Sequence, residues 1–141
     1  MGLAYDEIQE LADAINAYSY AIRYDSLYAK EFYNRGCDYT ELNKNEFAIK
    51  DYTKAISLDT SYSDAYFNRA IIYDKLEKYD EAIADYSKVI SLEPFALDAY
   101  FYRGLSKANL GKHSESCADI KKAAELGNKT AKKYYKLNCN K

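Results

Sequence analysis

Apolar residues recur along this chain at the three- and four-residue spacing of amphipathic helices, and no stretch shows the sustained alternation of a half-buried strand. Short polar segments such as LEKYDEA and LGKHSES interrupt the pattern and separate pairs of helical stretches. The stretch YFNRAIIYDKLEKYDEAIADY, which begins at Tyr66, has counterparts 34 residues upstream and 34 residues downstream. The sequence therefore predicts an all-α protein built from repeated helix hairpins.

Small residues fix the frame of a 34-residue unit. With Ser63 as position 1, position 8 is glycine or alanine in every copy, and positions 20 and 27 are mostly alanine. Position 11 is mostly tyrosine, and position 14 is leucine or isoleucine. We expect helix A near positions 2 to 14 and helix B near positions 18 to 30 of each unit. The expected units are a truncated repeat over 1–28, full repeats over 29–62, 63–96 and 97–130, and a capping helix over 131–141.

These motifs resemble the tetratricopeptide repeat, a 34-residue helix–turn–helix unit with a large residue at position 4, tyrosine at 11, an aromatic at 24 and alanine at 20 and 27. The resemblance covers residues 1–130. It implies that residues 1–141 form one domain, an all-α, right-handed superhelical solenoid of antiparallel helix hairpins. The main departure is position 7, which is usually apolar in the family and is arginine in all three full units.

The first repeat is incomplete in this frame, because Met1 falls at position 7. Its helix A would keep only about eight residues, fewer than the roughly 12–15 that an isolated helix needs. Either the natural chain starts unusually or it is a piece of a longer array, and we favour the second explanation. The open N-terminal end leaves the faces of Ile8, Leu11 and Ile15 incompletely covered, and the competing expectation is a homo-oligomer through that end.

The arginines at position 7 occur together with aspartates at position 23. The truncated unit lacks both residues, with Met1 and Ala17 at these positions. We interpret the pairs as structural salt bridges, either between helices A and B or between neighbouring units; the alternative is a row of arginines for an acidic ligand. The paired residues are Arg35 with Asp51, Arg69 with Asp85, and Arg103 with Asp119.

The resemblance also implies a binding groove, because helices A line the concave face of such arrays. Asn34 and Asn68 resemble the asparagine ladder with which some family members hold a peptide backbone, since an amide both donates and accepts. The alternatives are that the aromatic rings only pack against the next helix A and that the asparagines are only solvated. The expected groove residues are Tyr33, Asn34, Cys37, Phe67, Asn68, Ile71, Phe101, Tyr102 and Leu105.

One specific partner is excluded by the same comparison. Family members that grip the acidic C-terminal tails of chaperones use lysine, asparagine and arginine at five groove positions. Here those positions hold Tyr33, Cys37, Asn68, Asp98 and Tyr102, so only the asparagine matches. We therefore predict that this chain does not bind such tails.

Composition excludes several other functions. The net charge of −2 and the lack of a basic run argue against binding to nucleic acids and to membrane surfaces. The 17 tyrosines instead favour a protein interface. The single histidine lacks a partner pattern, and there is no glycine-rich phosphate loop or nucleophile elbow, so we expect no enzyme, catalytic residue, cofactor or metal site. We interpret Cys37, Cys117 and Cys139 as reduced thiols and expect a cytoplasmic location.

Two functions remain open from the sequence. The leading hypothesis is a protein-interaction module that binds a peptide or protein segment of unknown identity in the groove, because aromatic and aliphatic residues form a stripe there with asparagines beside it. The competing hypothesis is a structural scaffold or self-association module without a dedicated peptide ligand.

Overall fold

A computed structural model describes residues 4–25 and 27–139 of the chain. Within these ranges the chain forms eight α-helices and no strand, so the predicted all-α fold class is confirmed. No helix among them combines the length and the apolar character that crossing a bilayer requires. The helices are α1 (Tyr5–Tyr24), α2 (Ala29–Glu41), α3 (Asn45–Leu58), α4 (Ser63–Lys75), α5 (Tyr79–Leu92), α6 (Leu97–Asn109), α7 (His113–Glu125) and α8 (Lys129–Asn138).

Helices α2 to α7 alternate between the A and B spans of the repeat frame. A left-handed residue at position 15 ends each A helix, with φ of 54° at Asn43, 58° at Glu77 and 74° at Gly111. A residue in this conformation reverses the chain after a helix, and the next helix begins two residues later, at Asn45, Tyr79 and His113. The tight A–B turn is therefore built in the same way three times.

Helix α1 differs from the prediction for the truncated repeat. The frame expects a short helix A and a turn near Gln9, whereas the structure has one uninterrupted helix of 20 residues. The segment Gln9-Glu10-Leu11 consists of good helix formers and lacks the left-handed residue that ends α2, α4 and α6. A helix of this length can form without the support that an eight-residue remnant needs.

The chain divides into two compact units, Met1–Arg69 and Ala70–Lys141, with the division inside α4. In the first unit, α2 packs against both α1 and α3. In the second unit, α6 packs against both α5 and α7, and α8 packs against α7. Each unit therefore has a central A helix with a helix on either side.

The core of each unit depends on a close approach between position 8 of helix A and position 24 of helix B. A Cβ atom added at Gly36 would lie 2.8 Å from Cε1 of Tyr52, and one added at Gly104 would lie 2.7 Å from Cγ1 of Ile120 and 3.1 Å from the carbonyl oxygen of Ser116. Tyr52 and Ile120 are fully buried. The small residues that define the repeat in the sequence therefore set the spacing between its two helices.

A disulfide joins Cys117 to Cys139 with a Cα–Cα distance of 5.6 Å. The interpretation of these two residues as reduced thiols was therefore wrong, whereas Cys37 is a free thiol. Helices α7 and α8 are consecutive and antiparallel, so the start of α7 lies beside the end of α8. Two cysteines that are 22 residues apart meet for this reason, although their spacing in the sequence matches no disulfide or metal motif.

We expect Gly104→Ala to destabilise the protein more than Gly36→Ala. The new methyl group at position 104 would press on the backbone oxygen of Ser116, which cannot move without α7, whereas at position 36 it meets only the Tyr52 ring. Overpacking of this kind costs about 1–3 kcal/mol. Urea unfolding of both variants measures the difference, and equal or reversed losses would contradict this account of the helix contact.

We expect reduction of the Cys117–Cys139 disulfide to lower the free energy of unfolding by about 3 kcal/mol, because the closed loop spans 22 residues. Urea unfolding with and without a reductant measures the loss in the wild type. The free energy of unfolding of a Cys139→Ser variant should equal that of the reduced wild type and should not change when reductant is added. Cys37→Ser should respond to reductant as the wild type does. A wild type that is insensitive to reductant would show that the bond does not stabilise the fold.

Candidate functional site

The expected groove residues fall into both units, and the two sets are described separately. We call Tyr33, Asn34, Cys37, Phe67 and Asn68 the unit 1 face; they lie on α2 and on the first half of α4, and all are half-buried. We call Ile71, Phe101, Tyr102 and Leu105 the unit 2 face; they lie on the second half of α4 and on α6.

A network of hydrogen bonds fixes the centre of the unit 1 face. The amide nitrogen of Asn68 donates to the hydroxyl of Tyr33 at 3.2 Å and to the thiol of Cys37 at 3.8 Å. Tyr52, beneath them, donates to Cys37 at 3.5 Å and shares a hydrogen bond of 3.0 Å with Thr40. Burial raises the pKa of the Tyr33 and Tyr52 hydroxyls, so both stay protonated in ordinary buffers.

The two asparagines differ in what they offer a ligand. Both hydrogen bonds of Asn68 use its amide nitrogen, so its side-chain carbonyl oxygen is the atom with which it would accept from a peptide N–H. Among the hydrogen bonds formed within residues 4–25 and 27–139, none involves the Asn34 side chain. Asn34 therefore keeps both a donor and an acceptor for a bound main chain.

Tyr33 has a second role as a packing residue. Its ring centroid lies 4.9 Å from that of Tyr62 and 5.8 Å from that of Tyr52. The alternative that this ring packs within the fold is therefore partly correct. A ring held on two sides loses little further freedom on binding, which is an advantage for an interface residue.

On the unit 2 face, Phe101 is a core residue and not an exposed groove residue. It is only 9% exposed and clusters with Ile120, Ala123 and Ala131. The ring of Tyr134 on α8 meets it edge to face at 6.4 Å, and Leu105 packs against the same cluster. The groove assignment of Phe101 needs correction, because α8 covers the ring that the sequence analysis placed in the groove.

The other two residues of the unit 2 face are partly accessible. Ile71 and Tyr102 are half-buried, and the Tyr102 ring stacks at 6.1 Å on that of Tyr86. Exposed surface on this face is therefore smaller than the sequence predicted, and the unit 1 face is the stronger candidate site.

The sequence analysis did not predict the structural role of a half-buried carboxylate in unit 2, that of Asp74. Asp74 accepts from Tyr86 at 2.8 Å and from Ser106 at 2.6 Å. Burial raises the pKa of the Asp74 carboxyl, and the two hydrogen bonds oppose that rise. The sequence held a signal, because polar residues at position 12, Thr40 and Asp74, occur with tyrosine at position 24 and form a bond to it.

The arginines at position 7 are engaged inside the fold. Arg35 makes two bonds to Asp51, at 2.7 and 2.8 Å, and Arg103 makes two bonds to Asp119, at 2.8 and 2.7 Å. The hydrogen bond to Asp51 is the main reason why the pKa of Arg35 is raised. These two guanidinium groups are therefore committed to carboxylates of their own hairpins; the pairing of Arg69 with Asp85 stays a prediction.

Each position-7 arginine also reaches a hydroxyl on the preceding B-type segment, which the sequence analysis did not foresee. Arg35 donates to Ser19 at 2.9 Å, Arg69 donates to Thr53 at 2.9 Å, and Arg103 donates to Ser87 at 3.0 Å. The three hydroxyls all occupy position 25 of the repeat frame, and their recurrence there was a readable signal.

The comparisons with known proteins find tetratricopeptide repeats in this chain. A sequence profile described as tetratricopeptide repeat matches residues 63–95, and a second, described as TPR repeat, matches residues 38–77. No curated protein sequence matches the chain significantly. A crystal structure of MamA is 33% identical, with a TM-score of 0.82, over 91% of this chain and 75% of that one.

Two further solved structures are similar and contain peptides. The second TPR domain of the human RPAP3 protein, in complex with the HSP70 peptide SGPTIEEVD, is 33% identical, with a TM-score of 0.70, over 77% of this chain and 92% of that one. The first TPR of Spaghetti (RPAP3), bound to the HSP90 peptide SRMEEVD, is 29% identical, with a TM-score of 0.73, over 80% of this chain and 91% of that one.

We expect Asp74 to make stability depend on pH. Its pKa in the folded protein lies above the ordinary value of 3.8, so the folded state takes up a proton at a pH where the unfolded chain has released it. This contribution is fully present below the unfolded pKa and is lost as the pH rises through the folded pKa.

The comparison of wild type with Asp74→Asn isolates this contribution, because other titrating groups are shared. The stability of the wild type minus that of the variant, from urea unfolding, should be larger near pH 4 than at pH 7. A difference that is constant or that shrinks on acidification would show that burial does not control this carboxyl group.

Proposed function

This chain belongs to the tetratricopeptide repeat family, and from that premise we propose that it is a protein-interaction module that binds an extended segment of another protein on the unit 1 face. The observation that carries the proposal is the half-buried amide of Asn34, which forms no hydrogen bond within the described residues and directly follows Tyr33 on α2. An extended main chain needs a donor and an acceptor at each recognition point, and one amide supplies both.

The neighbouring side chains support the same assignment. Phe67 and Tyr33 offer half-buried rings for apolar side chains of the segment, while Asn68 offers its carbonyl oxygen. The hydrogen bonds that Asn68 donates to Tyr33 and Cys37 hold these side chains in place before binding, which lowers the entropic cost of ordering them. Short segments still pay to become ordered, so we propose an affinity in the range of roughly 1–100 μM.

The peptides bound to the two RPAP3 domains end in EEVD, and we propose a different preference for this chain. Only Asn68 matches the five clamp positions, and Tyr33 and Cys37 carry no positive charge. Asp98 bears a carboxylate that accepts from Asn128 at 2.9 Å and would repel a C-terminal carboxylate. We propose no catalytic activity for this face.

A second candidate is self-association along α1. None of the described residues of this helix is buried, and Tyr20 and Tyr24 are 62% and 77% exposed.

The expected cytoplasmic location stays a prediction, and the Cys117–Cys139 disulfide weighs against it, because cytosolic proteins seldom keep disulfides.

An unbiased peptide library tests the proposal. We expect the wild type to enrich a peptide motif and Asn34→Ala to bind those peptides about tenfold more weakly, because two hydrogen bonds to the peptide are lost. Lys122→Ala, at an exposed position of α7, is the matched control and should bind as the wild type does. Circular dichroism verifies that the variants are folded.

The other outcomes decide between the two candidates. Enrichment that Asn34→Ala leaves unchanged would move the binding site away from the unit 1 face. No enrichment, together with a dimer in light scattering at micromolar concentration, would support the self-association function instead.

A further inference from the structure

A cavity lies in unit 1, and it shares no residue with the unit 1 face. Its volume is about 420 Å³, which falls in the range of roughly 300–1,000 Å³ that is typical of small-molecule sites. Helix α2 contributes two of the lining residues and α3 contributes five. The lining residues are Phe32, Arg35, Lys50, Asp51, Thr53, Lys54 and Ser57.

The floor of this cavity is aromatic. Phe32 is only 7% exposed, so its ring is held by the core. The guanidinium carbon of Arg35 lies 5.7 Å from the ring centroid, and the ammonium nitrogen of Lys54 lies 6.0 Å from it. Since Asp51 neutralises Arg35 through the ion pair of 2.7 Å, the floor itself carries no net charge.

The rim carries a net positive charge. Lys50 and Lys54 are exposed and stand one turn apart on α3, with the hydroxyls of Thr53 and Ser57 on the same stripe of the helix. Neither lysine forms a salt bridge with a carboxylate in the part of the chain that the structure describes. Two ammonium groups without a carboxylate partner therefore line this cavity, in a protein whose overall charge is −2.

We propose that this cavity binds a small apolar anion, with a flat ring or short hydrocarbon chain lying on Phe32 and a carboxylate, sulfonate or phosphate head between Lys50 and Lys54. Apolar contact with the exposed part of Phe32 and with the hydrocarbon chains of the two lysines contributes to the affinity, and the two ammonium groups select the anion over its neutral analogue. The corresponding positions of the next repeat hold Tyr66, Ala84 and Lys88, so only the first full repeat combines phenylalanine with two lysines.

The test uses 2-naphthoate and its uncharged analogue 2-naphthamide, titrated into the isotopically labelled full chain and followed by amide chemical shifts. We expect naphthoate to change the amide chemical shifts of α2 and α3 around Phe32 and Lys54, and these changes should level off as the ligand concentration rises. Naphthamide should bind at least about threefold more weakly. Added salt should weaken the binding of naphthoate and leave the binding of naphthamide unchanged, because salt screens only the charged head group.

Two variants and a matched control link the effect to the lysines. Lys50→Gln and Lys54→Gln should each weaken the binding of naphthoate about threefold, as expected for exposed charge pairs. Neither variant should change the affinity for naphthamide. Lys88→Gln, at the position of Lys54 in the next repeat, should leave both ligands unaffected. The proposal is wrong if naphthoate causes no shifts at millimolar concentration, if the variants bind it as the wild type does, or if the shifts map to the unit 1 face.

Discussion

The arginine at position 7 is the constraint around which each hairpin is organised. In Arg35 and Arg103, two guanidinium nitrogens bind the aspartate of the same hairpin, and a third binds a serine on the helix before it. Both aspartates are buried, and a buried carboxylate that loses its partner costs about 3–5 kcal/mol. Three consecutive helical segments are therefore held by one planar group, whose geometry a lysine could not reproduce.

This arrangement also decides which surfaces remain for function. The guanidinium groups of Arg35 and Arg103 form ion pairs with aspartates of the fold. They are therefore not available to bind an acidic ligand, as the alternative hypothesis of an arginine row requires. Polar groups with spare capacity lie elsewhere, in the amides of the unit 1 face and in the lysines above Phe32. The interior polar network and the exposed polar groups are thus separate sets of residues.

The sequence was sufficient for the elements that repeat. The small residues at position 8, the aspartates at position 23 and the polar turns recur with a fixed period, so each copy supports the interpretation of the others. Features that occur once were not predictable in this way. The uninterrupted helix α1, the Cys117–Cys139 disulfide and the covering of Phe101 by α8 each occur once among the described residues, so no second copy in the sequence supports their prediction.

The candidate site shows the same limit. The family frame placed Tyr33, Asn34 and Asn68 on one face, but it could not say which amide was already engaged, because that depends on the distance between two particular side chains. Phe101 was misplaced because α8 was considered only for its polar outer surface. A terminal helix also has an inner surface, and in this chain that surface buries the ring.

Arg35 and Arg103 each take their hydrogen-bond partners from two different parts of the chain. Arg35 and Arg103 each depend on a hydroxyl that belongs to the helix before them, whereas their aspartates belong to their own hairpins. Fraying of α1 would deprive Arg35 of Ser19, while fraying of α2 would leave α1 with its own hydrogen bond from Ser19 to Ile15 intact. When that contact breaks, Arg35 loses one of its three hydrogen bonds while Ser19 keeps its own, so the helix before a hairpin contributes to it in a way that is not returned.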